Sequence, residues 1–208
     1  MTTIRAVCFD AFGTVVEITD KRRPFQKLLQ NDYDDVSVRA MTQPLGLRAL
    51  ASQLQPRPLE EVIEKWEEDL EAECASIAPR PSMKSIWATL KRARLQIAVC
   101  SNLAVPYALP MIRALPESPD GLVLSYRVGL MKPHKEIYSI VASQLGLKIS
   151  QILFVGDRQE EDVLGPIAAG ACAMPIGEFE AFFGTAPSIY APTNVVELFE
   201  RIAAAKAG

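Results

Sequence analysis

The chain has 208 residues, 49% hydrophobic and 23% charged, with 22 Lys and Arg against 25 Asp and Glu for a formal net charge of -3. That length sustains one sizeable core and a smaller appendage, and falls short of two full domains. Neither sign of charge is in excess, which argues against a general nucleic-acid or polybasic membrane surface, and no apolar run reaches the ~18 residues of a membrane span. The amino terminus leads straight into a strand-like run with no signal-peptide pattern, so a cytoplasmic location is expected. Cys8, Cys74, Cys100 and Cys172 are scattered without CxxC spacing, which speaks against zinc and for reduced thiols acting as small apolar side chains.

The first element is the run Val7-Cys8-Phe9-Asp10-Ala11-Phe12-Gly13-Thr14-Val15-Val16. Its β-branched and aromatic residues suit a buried strand, and the strand ends at Asp10 ahead of a Gly-Thr turn. From Glu17 to Pro79 the pattern turns helical. Leu59, Val62, Ile63, Trp66, Leu70, Cys74 and Ile77 form one face of a long helix. Segments around Phe25–Leu29, Val36–Met41 and Leu45–Leu54 are expected to pack on that stripe. Residues 17–79 are thus expected as a small all-helical insertion between two parts of a core, 1–16 and 80–208.

Beyond Pro79, strand and helix alternate. Met83, Ile86, Trp87 and Leu90 mark a helix, Gln96–Cys100 a strand, Val105–Leu115 a helix and Leu122–Leu124 a strand. Pro133 is placed at the start of a helix carrying Ile137, Ile140, Val141 and Leu145. Gln151–Val155 and Ala171–Ile176 read as further strands, separated by a helix that stops at Gly170, and Asn194 with Glu197 caps a terminal helix. Such alternation predicts an α/β fold, a mainly parallel sheet with helices on both faces.

Polar residues gather where the strands end: Asp10, Ser101-Asn102, Lys132 and Gly156-Asp157 with Asp162 behind it. The carboxyl ends of parallel strands share one edge, so these groups converge on one crevice. Two carboxylates about 4 Å apart repel by roughly 4 kcal/mol at an effective dielectric of 20. Lys132 offsets part of that, and Mg²⁺ suits the remaining set of oxygen ligands.

The order Asp10-x-x-Gly-Thr, Ser101-Asn102, Lys132-Pro133 and Gly156-Asp157-x-x-x-x-Asp162 resembles the four motifs of the haloacid dehalogenase superfamily. The resemblance implies a Rossmann-like sheet with a helical cap inserted after the first motif. It makes Asp10 the nucleophile that forms a covalent aspartyl intermediate. Ser101 would bind the transferring group, assisted by backbone donors from Asn102 and the Gly13-Thr14 turn, and Lys132 would hold nucleophile and substrate charge. It also implies a metal held by Asp10, the backbone carbonyl of Phe12 and Asp157, with Asp162 supporting the metal shell or Lys132.

Phe12 departs from the phosphatase pattern, which has a second aspartate there as general acid. An aromatic residue at this position, and Tyr138 six residues after Lys132, resemble the 2-haloacid dehalogenase branch, whereas the intact acidic motif at Asp157 and Asp162 resembles the metal-dependent phosphatases. The favoured expectation is Mg²⁺-dependent hydrolysis of an anionic, phosphorylated small molecule. The alternatives are a metal-free 2-haloacid dehalogenase and a non-catalytic binding member. His134 and Arg158 are expected at the surface. Lys21, Arg22, Arg23, Arg39 and Arg48 are expected on solvated faces, with one or two able to reach substrate as the cap closes.

Overall fold

The computed structural model describes residues 4–28 and 33–184, so the expected capping box at Asn194 and Glu197 lies outside the described residues. In chain order the strands are β1 (Ala6–Phe9), β2 (Val16–Ile18), β3 (Ile77–Pro79), β4 (Gln96–Ser101), β5 (Gly121–Leu124), β6 (Ile152–Gly156) and β7 (Cys172–Pro175). Helices α1 (Pro24–Leu28), α2 (Tyr33–Thr42), α3 (Leu47–Ala51) and α4 (Glu60–Ala75) fall between β2 and β3. After β3 come α5 (Met83–Arg92), α6 (Val105–Ala114), α7 (Ser125–Val128), α8 (Lys135–Leu145), α9 (Gly165–Ala168) and α10 (Ile176–Gly184).

Five strands pair in parallel in the order β5-β4-β1-β6-β7. The fold is α/β and Rossmann-like, as expected. Strand pleating decides which face each residue covers. Val7, Phe9, Ile97, Val99, Leu153 and Val155 join Trp87 of α5 and Phe179 of α10 in one apolar layer. Ala6, Cys8, Ala98, Cys100, Ile152 and Phe154 join Ile137, Tyr138 and Val141 of α8 in the other. Both faces are covered, so the central strands carry no polar alternation. Ring contacts of Phe9 with Trp87 (6.1 Å) and Phe179 (5.5 Å) tie α5 and α10 to β1. Burying each such ring contributes about 1.5–3 kcal/mol. The four cysteines are free thiols, and Cys8 and Cys100 are buried in β1 and β4. Among the described residues no helix is long and apolar enough to cross a membrane.

A third apolar cluster joins Phe25, Val36, Leu47, Leu50, Ile63 and Leu70 of the insertion, with Tyr107 of α6 and Ala104 just before that helix closing it. Three details depart from the sequence reading. Ile77 leaves the α4 stripe, because the Ser76 N–H closes on Ala72 O and the chain turns into β3, where Ile77 pairs antiparallel with Ile18. Leu59 and Val62 are exposed, so the stripe is buried only from Ile63 onward, where α1, α3 and α6 pack. Helix α8 starts at Lys135 rather than Pro133, since the backbone of Lys132 is tied across to Asn102 and the chain is still turning there.

Candidate active site

Asp10 follows β1 directly, and its N–H donates to Val155 O on β6 at 2.9 Å. The chain then folds back sharply: Val15 N and Val16 N both donate to Ala11 O, and Gly13 N donates to Val16 O. Gly13 has φ +80°, and a Cβ there would lie 2.6 Å from Asp157 Oδ2. Glycine alone meets both demands, a left-handed backbone and the close approach of the Asp157 loop. Arg80, just past β3, donates from Nη1 to Gly13 O at 2.7 Å and is itself held by Glu180 of α10 at 3.0 and 2.9 Å.

Lys132 reaches the same edge from the loop between α7 and α8. The Asn102 side chain fixes that loop, donating to Lys132 O and accepting from Lys132 N, both at 2.8 Å. The Lys132 ammonium lies 2.8 Å from Asp10 Oδ1 and 2.6 Å from Asp162 Oδ1, and its side chain is 2% exposed. Burial alone would drive this amine toward neutrality, but the attraction of Asp10, Cys100 and Asp162 outweighs it and holds its pKa well above the ordinary lysine value. Asp10 titrates above the usual carboxylate range. Burial is the main cause, eased by Lys132 and reinforced by the like charges of Asp162 and Asp157.

The acidic loop follows β6. Gly156 accommodates Asp162, whose Cγ would lie 2.3 Å from a Cβ at that position. Residues Gln159–Leu164 form a π-helical turn, which the buried Tyr138 braces by donating to Glu161 O at 2.6 Å. Asp162 is buried with both oxygens engaged, Oδ1 by Lys132 and Oδ2 by the Arg158 N–H at 3.0 Å. Asp10 Oδ2 and the exposed Asp157 carboxylate have no hydrogen-bond partner among the described residues. One carboxylate oxygen from each of Asp10, Asp157 and Asp162 lies within 4.8 Å of the other two.

That donor set fits a hard cation. Magnesium with oxygens at about 2.1 Å separates opposite ligands by about 4.2 Å, close to the spread of these carboxylates. One ammonium faces three carboxylates, and no backbone N–H among the described residues donates to the Phe12 carbonyl.

The remaining expected residues take distinct places. Ser101 is buried at the end of β4. Thr14 is fully buried, and its hydroxyl has no hydrogen-bond partner among the described residues. The Gly13 and Thr14 N–H groups donate within their own turn, at 2.9 Å to Val16 O and 3.4 Å to Ala11 O, so the turn does not offer them to a ligand here. Phe12 meets Tyr107 edge-on at 5.9 Å, and Tyr107 donates to Glu73 at 2.9 Å. Burial, and then Glu73, push the Tyr107 hydroxyl far above its ordinary pKa. His134 is exposed and sits 2.7 Å from Glu136. Arg48 pairs with Glu60 and Glu67, and Arg22 with Asp20, on the outside of the insertion.

A cleft of about 390 Å³ is lined by Phe12, Gly13, Asp157 and Arg158 together with Glu17, Ile18 and Lys21 at the start of the insertion. Arg80, Glu73 and Tyr107, which brace its walls, had no sequence signal. Arg80 is one arginine after a proline, and Glu73 is one glutamate in an acidic helix face.

A family model of haloacid dehalogenase-like hydrolases matches residues 4–170. The chain is 40% identical over 72 residues to pyrimidine 5'-nucleotidase YjjG of Escherichia coli, a match covering 33% of this chain and 32% of that protein. It is 28% identical over 171 residues to N-acetylmuramic acid 6-phosphate phosphatase of Pseudomonas aeruginosa, covering 74% of each. The fold superposes with a TM-score of 0.64 on a magnesium complex of a family enzyme from Bacteroides thetaiotaomicron at 14% identity, over 83% of this chain and 93% of that one. Four motifs meeting at one sheet edge and a family match over most of its length make this chain a member of the haloacid dehalogenase-like hydrolases.

Proposed function

We propose that this protein is a Mg²⁺-dependent hydrolase of phosphorylated small molecules that uses Asp10 as its nucleophile, with residues 1–16 and 80–208 as the core domain and 17–79 as a helical cap over the cleft. The observation that carries this reading is the meeting of three carboxylates, from Asp10, Asp157 and Asp162, around one buried ammonium at the carboxyl edge of the sheet. The phosphatase and nucleotidase relatives and the magnesium complex of the Bacteroides enzyme support it.

Asp10 attacks phosphorus, the bond to the leaving oxygen breaks, and the phosphoryl group is carried as an aspartyl phosphate that water then hydrolyses, regenerating the carboxylate. Lys132 holds Asp10 ionised and aimed, since its ammonium bonds Oδ1 and leaves Oδ2 for the attack. Asp162 and Asn102 fix that ammonium in place. Asp10, Asp157 and the Phe12 carbonyl would hold Mg²⁺, with Asp162 behind them, and the ion would neutralise the charge gathered on the transferring phosphoryl group. Ser101 lies at the edge where the phosphoryl oxygens would sit. Phe12 supplies no proton to the leaving oxygen, so turnover is expected to favour leaving groups that depart as stable anions.

Phe12 is also the feature that favours the second reading, a metal-free 2-haloacid dehalogenase, because a halide leaves without a proton. The test is phosphate release from a panel of monoesters with Mg²⁺ and with chelator, beside halide release from 2-chloropropionate. Chelator-sensitive phosphate release that disappears in Asp10→Asn is expected. Chelator-insensitive halide release would replace this reading with the dehalogenase, and neither product would leave a binding protein.

A further inference from the structure

The segment that enters the insertion is held unusually firmly. Thr19 Oγ1 donates to Ser76 O at 3.0 Å and the Asp20 N–H to Ser76 Oγ at 3.0 Å. The Arg22 and Arg23 N–H groups both donate to Glu73 Oε2, at 2.6 and 2.5 Å. Glu73 is 5% exposed, and its other oxygen accepts from Tyr107 of α6. The residues on either side of Lys21 are therefore clipped to the end of α4, and α4 to α6. Lys21 stands between the two clips and lines the cleft.

Two of the other charged residues around that cleft are paired. Arg158 lies 3.0 Å from Glu161, and Glu17 lies 3.6 Å from Arg80. Asp157 belongs to the carboxylate cluster. Lys21 has no ion-pair or hydrogen-bond partner among the described residues. A solvated lysine on a helix face would have a mobile root and no cavity in front of it. Lys21 is exposed, but its root is fixed and it lines the cleft together with Phe12, Gly13 and Asp157. A compact ammonium on a flexible stem suits a carboxylate or phosphoryl oxygen as a point charge, without the planar match that arginine demands.

We propose that Lys21 forms a subsite for a second anionic group, a carboxylate or a second phosphoryl, carried on the leaving-group part of the substrate. This rests on the phosphomonoester reading above and narrows it to phosphorylated acids and bisphosphates. Charge-assisted contacts of this kind change affinity by about tenfold.

The test uses the full chain with Mg²⁺ and measures phosphate release. One series is carboxyalkyl phosphates with one to three methylenes, each beside its carboxamide. A second compares propane-1,3-diyl bisphosphate with 3-hydroxypropyl phosphate. The expected result is about a tenfold preference in kcat/KM for the anionic member of at least one series, carried by KM. Lys21→Gln should bring that ratio to about one, and Lys21→Arg should retain part of it. The series that shows the preference identifies the anion. Ratios near one in both series for the wild type, or a ratio that Lys21→Gln leaves unmoved, would overturn the subsite and leave the hydrolase reading standing. No phosphate from any ester, p-nitrophenyl phosphate included, would overturn both.

Discussion

Replacing Lys132 by methionine keeps most of the side-chain volume and removes the one positive charge buried between Asp10 and Asp162. At 2.8 and 2.6 Å, and an effective dielectric of about 20, each attraction is worth about 6 kcal/mol before desolvation is counted. Desolvation of three buried charges cancels most of that, but the variant keeps the desolvation of both carboxylates and loses their counter-charge. Removing one partner of a buried ion pair typically costs about 3–5 kcal/mol, a large share of a domain's total stability of about 5–15 kcal/mol. Urea unfolding in chelator should show a loss in that range for Lys132→Met. Adding Asp162→Asn to the same chain removes one of the stranded charges and should return at least about 1.5 kcal/mol. A loss under about 1 kcal/mol, or a double variant no more stable than the single one, would mean that the ammonium does not hold the cluster together.

Three further outcomes follow from the same geometry. Phe12→Asp places an acid where the half-buried ring now meets Tyr107, and should raise phosphate release from esters with poor leaving groups by about 10²-fold while changing p-nitrophenyl phosphate little; equal changes for both would show that protonation of the leaving oxygen is not limiting. Gly156→Ala drives a methyl group to within 2.3 Å of Asp162, which Lys132 and the Arg158 N–H prevent from retreating. It should cost about 1–3 kcal/mol in thermal or urea unfolding and depress turnover, and wild-type stability would contradict the packing described. Asp120 Oδ2 accepts from Lys91 and from the Ile97 N–H, both at 2.7 Å. Partial burial works against its charge, yet these bonds outweigh it and hold the carboxyl below its ordinary pKa. Its contribution is therefore complete above about pH 4 and is lost as the pH falls through the lowered folded value. Asp120→Asn should cost no more than about 1 kcal/mol at pH 7, since the pair is a third exposed. The gap to wild type should close on acidification below pH 4, and a gap that widens there would reverse the assignment.

The strands at the centre of the core were legible because each is buried on both faces, so Val7–Phe9, Ile97–Cys100 and Ile152–Val155 appear as unbroken apolar runs that give way to Asp10, Ser101 and Gly156-Asp157. The ribbon of β2 and β3 was not legible, since three residues carry too little pattern to separate Ile77 from the helical stripe before it. Neither was the exposure of Leu59 and Val62, because periodicity tells which face is apolar and says nothing about how far the neighbouring helices reach. The braces of the site show the same limit. Nothing local distinguishes Arg80 from any surface arginine, or Glu73 from the glutamates around it, until α10, α6 and the start of the insertion are brought against them.

By itself the order of residues determined the α/β alternation and the carboxyl-edge placement of Asp10, Ser101 and Asp157, because both follow from periodicity and from the common direction of parallel strands, whereas Lys132 follows no strand and reaches the edge from the loop between α7 and α8. Only the tertiary structure decided how the charges share one another: Asp162 spends both oxygens on Lys132 and the Arg158 N–H, Asp10 keeps one, and Lys21 lines the cleft unpaired. Those outcomes depend on distances between segments as much as 122 residues apart in the chain, and electrostatic energy follows distance in space, which no local pattern encodes.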